Sequence, residues 1–416
     1  MLDRYANYVL FLSGAFIKLD VNIGGRLAVG ELIMITVLPF AIKSIDTLQE
    51  EKEFRRILMG ILIWMVGAVV SDIINYNTMD YLLKGFFRPV ICFAIFVSCY
   101  YLSYRNPRNL YYFFFGLLIS GFWNFMSPTD ARVGGTAATG TYQYYAYSYT
   151  PFFLALASVG GYYLYQKSIM MASALCIVLG AIAFPIMSRT TASVLLVSGI
   201  LIYISNNTNI TMKWRYSDIA ISKIIATSFL IYCLAFYPYT YCAAHGYLGE
   251  RQQEKFEMQY NKSPLLQNPL GFLFAGRVET VGAMVRVARS PIIGHGSWPK
   301  RGNSNVIAAQ LVGIDKDEIS EKMFDFNYRD PGHSVFFGIW SQAGICVVPF
   351  FLLCFVSTLK LLKRVIAGGD REIILITPYM FIFVFSFFFN NFNSTFRFEL
   401  LIFPLLSVYY RTGKLT

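Results

Sequence analysis

The sequence predicts an all-α polytopic membrane protein of about twelve transmembrane helices with one large, partly helical extramembrane loop. Three observations carry this reading. Of 416 residues, 56% are hydrophobic and only 14% charged, against roughly 25% charged in soluble domains. The apolar residues gather in twelve runs, near 6–17, 27–42, 57–74, 87–104, 109–125, 147–165, 168–186, 190–205, 222–239, 333–358, 372–390 and 398–410. A spanning helix needs about 20 largely apolar residues, so each run is a candidate span. The one long polar interruption separates the ninth run from the tenth. The chain accordingly divides into residues 1–239 (helices one to nine), 240–332 (the loop) and 333–416 (the last three helices).

Charge placement orients the spans. A net charge of +11 suits either nucleic-acid binding or the basic anchoring of inner loops, and the distribution favours anchoring. With the N-terminus inside, the inner segments hold Arg4; Lys43, Lys52, Arg55 and Arg56; Arg105 and Arg108; Lys167; Lys213, Arg215 and Lys223; Lys360, Lys363, Arg364 and Arg371; and Arg411 and Lys414. The short outer segments hold only Lys18, Arg26, Lys84, Arg88, Arg132, Arg189 and Arg397. The positive-inside rule then puts both termini in the cytoplasm and the long loop outside. No nucleic-acid partner is expected. The first run lacks a small-residue cleavage site and reads as a retained span. Cys92, Cys99, Cys176, Cys233, Cys346 and Cys354 fall in apolar runs without CxxC spacing, as small core hydrophobes.

The outer loop concentrates the titratable residues. All three histidines, His245, His295 and His333, lie in it or at its exit. Within it, a helix opening at Arg277 has an apolar stripe of Val278, Val281, Met284, Val285 and Ala288 at 100° per residue. Glu279, Gly282 and Arg286 point the other way, so Arg286 reads as a solvated arginine. Arg277 falls within the stripe, and a cation at a helix N-terminus opposes the macrodipole. Either an anion binds there, drawing on the free N–H groups and the guanidinium, or Arg277 reaches water or a loop acid. Arg189, at the outer start of the eighth run, is an anion ligand or an interfacial anchor by the same logic. His333 follows a plausible N-cap, Asp330, at the mouth of the tenth run, and histidine serves as base or hydrogen-bond donor near neutrality. His295 sits in a glycine-flexed GHGSW turn. Arg132 opens a Gly-, Thr- and Tyr-rich outer segment (127–149) that reads as a sugar-stacking loop or an interfacial tyrosine belt. Arg88 and Arg397 complete the outer cations.

Other chemistries leave no trace. Asp315-Lys316-Asp317 resembles a metal-binding DxD but sits in a charged run, DKDEISEK, that reads as a solvated helix. There is no HExxH, GxSxG, Walker loop or paired-cysteine metal site. No metal and no cofactor are expected. Arginines bind diphosphate through a bidentate fork, and a diphosphate at an outer membrane surface belongs most naturally to a lipid-linked sugar.

These features together resemble the O-antigen polymerase and O-antigen ligase superfamily of bacterial envelope glycosyltransferases. The matching residues are Ser188–Arg189, then GR followed by a helix and PIIGHG (Gly276 to Gly296), then HSVFFGIWSQAGI (His333 to Ile345). Ser334 replaces a common Asn, and Gln342 stands where an acid is frequent. The resemblance implies a bacterial inner-membrane enzyme with a periplasmic active site and metal-independent glycosyl transfer from an undecaprenyl-diphosphate donor. Carried over, Arg189 and Arg277 hold the diphosphate and His333 is catalytic. His295, Arg132, Arg397 and Arg88 are further candidate substrate contacts. The expected partners are the lipid-linked oligosaccharide, membrane lipids and a chain-length regulator. Polymerase is the favoured reading and ligase, with lipid A–core as acceptor, the closest alternative. A lipid-linked oligosaccharide flippase is the alternative of another class. It is disfavoured because the sequence has no internal repeat and its polar groups collect on one face.

Overall fold

A computed structural model describes residues 5–22, 26–43, 51–126, 142–186, 189–205, 220–248, 253, 256–257, 267–269, 277–300, 302–311, 334–366, 371–390, 392–412 and 415. These form fifteen α-helices and one short hairpin. In chain order they are α1 (Ala6–Ala15), β1 (Asp20–Asn22), β2 (Arg26–Ala28), α2 (Val29–Lys43), α3 (Lys52–Ile74), α4 (Met79–Ser103), α5 (Tyr111–Met126), α6 (Tyr142–Tyr165), α7 (Ile169–Ile186) and α8 (Arg189–Ser205). Then come α9 (Ala220–Ala244), α10 (Val278–Arg289), α11 (Ser304–Leu311), α12 (Val335–Ala343), α13 (Val348–Ile366), α14 (Arg371–Phe389) and α15 (Ser394–Arg411).

Each predicted apolar run falls on helix, and the protein is an all-α membrane protein. Four segments, Lys52–Ile74, Met79–Ser103, Ile345–Val365 and Glu372–Phe389, are long and apolar enough to cross a membrane. The hairpin between α1 and α2 was not foreseen; Asp20 pairs with Ala28 and Val21 with Leu27. The tenth run also differs from the expected continuous helix. It breaks at Gly344 (φ 75, ψ −168) into α12 and, after a 3-10 turn at Ile345–Val347, α13. That backbone region is open essentially to glycine alone.

α15 is the central helix. Every residue from Phe396 to Leu406 is buried, the signature of a helix enclosed by its neighbours. Its aromatic residues stack on the helices around it: Phe396 on Phe383 of α14 at 4.7 Å and Phe398 on Phe113 of α5 at 4.5 Å. Beside it, Trp64 of α3 packs edge-on against Phe351 of α13 and Phe392. α15 also carries Arg397 and Glu399 into this apolar centre, so their charges must be answered locally.

Candidate functional site

The site lies at the end of the bundle where α3 finishes and α2, α4 and α15 begin. Here the loop 291–298 (PIIGHGSW) docks into the break between α12 and α13. The backbone N–H groups of His295 and Gly296 donate to the carbonyls of Ser341 and Gln342 at 2.8 and 3.0 Å, and that of Ile345 donates to the Ile292 carbonyl at 3.0 Å. The last carbonyls of a helix lack intrahelical partners. The loop supplies donors to two of those of α12.

On its other side the loop is gripped by the end of α3. Asp72 is fully buried and accepts from the Ser297 N–H, from Ser297 Oγ at 2.7 Å and from Asn77 Nδ2 at 2.6 Å. Ser71 Oγ accepts from Gly296 N–H at 3.0 Å and donates to the Gln342 carbonyl at 2.7 Å. Asn75 and Asn77 donate to the carbonyls of Gly294 and Ser297. Gly296 has φ 75, where a side chain is strained, and a Cβ there would push on the Asn77 amide that holds the loop. Among the described residues, the two non-glycine residues with positive φ, Tyr76 (51°) and Trp298 (49°), both belong to this junction. Such strain persists where the surroundings over-determine it, and it clusters at binding and catalytic sites.

Two arginines converge beside the junction. Arg88, in the third turn of α4, donates through Nη1 to Gln342 Oε1 at 2.7 Å, and its guanidinium lies 3.8 Å from the centre of the Trp298 ring. It makes no ion pair among the described residues, although Asp72 is near enough to act on its charge. Arg397 is close enough to repel it. Arg397 itself is paired: its Nε lies 2.9 Å from Glu31 Oε1, and its Nη2 donates to Ser394 Oγ at 3.1 Å. Glu31 Oε2 also accepts from the Ala28 N–H at 3.0 Å, which ties the ion pair to the hairpin. Two guanidiniums thus lie near enough to act on each other at one end of an apolar bundle. One is neutralised by a buried carboxylate, and the other is held by an amide and a ring. Arg88 keeps guanidinium donors that could meet an anion, with the buried Asp72 carboxylate near enough to act on its charge.

Of the residues singled out in the sequence, the structure brings together Arg88, Arg397 and, through its loop, His295. The His295 ring is occupied in holding the loop: Nε2 carries the proton and donates to the Arg286 carbonyl at 2.9 Å. Arg277 precedes α10 without capping it by its side chain, and its guanidinium lies 5.2 Å from the Phe385 ring centre on α14. Arg189 is the first residue of α8, but its side chain lies outside the described residues, as do His333, Arg132, Asp315 and Asp317.

The helical-face assignment within α10 was wrong. Arg286, expected in solvent, is buried together with Val278, Thr280, Gly282, Ala283 and Val287, whereas Ala288 is exposed. The reason is that α10 packs on two sides, against α11 and α12. Gly282 lets the buried Asn305 of α11 approach, so the small and polar face is the packing face. Sequence reasoning also missed Glu31, Asp72 and Trp298. The two acids stood in the second and third apolar runs, where an ionisable residue at membrane depth is itself a signal.

No protein family matches the chain, and no curated protein matches it.

Proposed function

We propose that the protein is a polymerase of undecaprenyl-diphosphate-linked oligosaccharide repeat units in a bacterial inner membrane. In this reading twelve helices cross the membrane, both termini are cytoplasmic, and residues 240–332 form the periplasmic loop. The observation that carries the proposal is Arg88. This half-buried guanidinium has no carboxylate partner among the described residues, lies beside a second arginine, and is fixed at a strained junction on the face assigned to the periplasm. A cation at the edge of an apolar bundle whose nearby carboxylate, Asp72, is hydrogen-bonded to Ser297 and Asn77 gains from a bound anion. A diphosphate at the end of a polyprenyl tail is an anion delivered at that depth. Gln342 orients the Arg88 guanidinium through its amide oxygen without adding a negative charge.

The chemistry follows from these charges. The acceptor sugar's hydroxyl attacks the anomeric carbon of the donor and the bond to the diphosphate breaks. His333 takes the hydroxyl proton, a step worth about 10²–10⁴-fold in positioned general-base catalysis. Arg189, Arg277 and Arg88 bear the charge that develops on the leaving diphosphate, as preorganised donors do. Arg132 contacts the glycan, Arg397 sets the field at Arg88, and His295 holds the GHGSW loop.

The test is purified protein in liposomes with a lipid-linked repeat unit and excess chelator. The proposal expects a ladder of lipid-linked oligomers with release of undecaprenyl diphosphate. Product formed only after lipid A–core is added would make the protein a ligase. Translocation of the repeat without a new glycosidic bond would make it a flippase.

A further inference from the structure

His245 takes no part in the junction, and it stands in a cluster of rings that the end of α9 builds. Gly246 has φ 74, and its N–H donates to the Ala243 carbonyl at 3.2 Å. The Tyr247 N–H donates back to the Cys242 carbonyl at 3.0 Å. Glycine takes that left-handed position without strain, and the two bonds reverse the chain over the last turn of the helix. Tyr247 is thereby folded back beside Tyr241 and His245, which stand one turn apart. The ring centres of Tyr241, His245 and Tyr247 form a triangle with sides of 4.3, 5.9 and 6.5 Å. The planes of His245 and Tyr247 are 13° apart. The His245 Nδ1–H donates to the Tyr241 carbonyl at 2.8 Å, which holds the ring and leaves Nε2 as an acceptor. Although the rings touch, Tyr241 and Tyr247 are 60% and 71% exposed, and His245 is exposed with them. Tyr237, one turn earlier on the same face, is 64% exposed. Aromatic surface held in place and left open loses little side-chain freedom on binding, which is what a platform for a flat ligand requires.

Shape and depth identify the ligand. The triangle is about as broad as one six-membered sugar ring. The face of an aromatic ring is negative, so it attracts the polarised C–H groups on the flat side of a pyranose. The sugar's hydroxyls meet the tyrosine hydroxyls and His245 Nε2 at the rim. α9 has 25 residues, about 37 Å at 1.5 Å per residue, against about 30 Å of hydrocarbon. A cation at membrane depth is costly, so Lys223 holds the start of α9 near one surface. The excess length emerges at the end that carries the rings, the height at which a sugar on a lipid diphosphate is presented. We propose that Tyr241, His245 and Tyr247 form a stacking subsite for a pyranose unit of a lipid-linked glycan. The subsite rests on the reading that the protein handles such a glycan, and it holds equally for a polymerase, a ligase or a flippase.

Native mass spectrometry of the purified full chain tests this without turnover, with undecaprenyl-diphosphate-linked oligosaccharide and undecaprenyl diphosphate as the two probes. Wild type should bind the glycan-bearing lipid more tightly. Tyr241→Leu/Tyr247→Leu keeps apolar bulk but removes two ring faces. It should weaken that binding about three- to ten-fold per ring, about ten- to a hundred-fold in all. Binding of undecaprenyl diphosphate should not change. Tyr241→Phe/Tyr247→Phe, which keeps both faces, should bind as wild type does. Thermal unfolding checks that each variant is folded, and Tyr247→Leu, beyond the last turn of α9, gives the single-ring step if the pair is not. Equal binding of the two probes by wild type overturns the subsite, as does unchanged glycan binding in the leucine pair. Equal loss of both probes in that pair makes the rings a membrane anchor and overturns it too. A phenylalanine pair as weak as the leucine pair overturns stacking. Glycan binding through these rings by a protein that forms no polymer upholds the subsite and refutes the polymerase reading.

Discussion

The two ends of α15 solve the same problem in opposite ways. At its start a full ion pair, Arg397 with Glu31, is buried among aromatic rings. At its end the buried polar groups are neutral: Tyr409 OH and Ser103 Oγ lie 2.9 Å apart, and Tyr410 OH and Tyr111 OH 2.8 Å apart. Neutral pairs shed little hydration when buried, whereas a buried ion pair recovers its desolvation cost only with good geometry, and an apolar replacement is often as stable. Stability alone therefore gives no reason for the charges at the first end. That end also carries the positive-φ residues Tyr76 and Trp298, and it holds Arg88 beside Arg397. Charge and strain together mark the end that holds the candidate site.

The contrast breaks most visibly at Arg397. Arg397→Ala would strand Glu31 and should cost about 3–5 kcal/mol in a denaturant titration of detergent-solubilised protein. Removing both charges with Glu31→Gln/Arg397→Met should restore most of that loss. If the double variant is as unstable as the single one, the ion pair is itself the source of stability and the comparison fails.

Gly344→Ala comes next. Its φ of 75° costs a side chain roughly 1–3 kcal/mol, and the new Cβ would lie 2.0 Å from the Ile292 carbonyl. The loop 291–298 should detach, which protease accessibility near Ile292 would report, while α15 keeps its packing. Unaltered accessibility would show that the break in the tenth run does not depend on this loop.

Arg88 sharpens the comparison on the functional side. Arg88→Lys should keep stability but lower lipid-linked donor turnover about ten- to a hundred-fold, because one charge-assisted hydrogen bond is worth roughly 1.5–3 kcal/mol. Gln342→Glu should lower donor affinity without unfolding the protein, since it pairs Arg88 with a carboxylate. Tighter donor binding in Gln342→Glu would mean that Arg88 is structural.

The smallest effect belongs to the neutral end. Tyr409→Phe removes one hydroxyl from the Ser103 pair and should cost about 1 kcal/mol, with turnover unchanged. A loss of turnover there would erase the division between the two ends.

Hydropathy was legible along the chain because burial in lipid acts on each segment by itself. The twelve apolar runs fall on helix, and four segments among the described residues meet the length and apolarity of a span. Arg88, Arg397 and His295 could be picked out one by one for their type and position. What each is paired with could not. The break at Gly344 exists because a loop about 50 residues earlier donates to the carbonyls of α12. The burial of Arg286 follows from α10 having two neighbours, which a single periodicity cannot encode. Glu31 neutralises Arg397 across 366 residues of chain while Gln342 leaves Arg88 charged. An apolar residue needs only an apolar surrounding, which many arrangements provide. A charge needs one partner at one distance, and only the tertiary structure decides which.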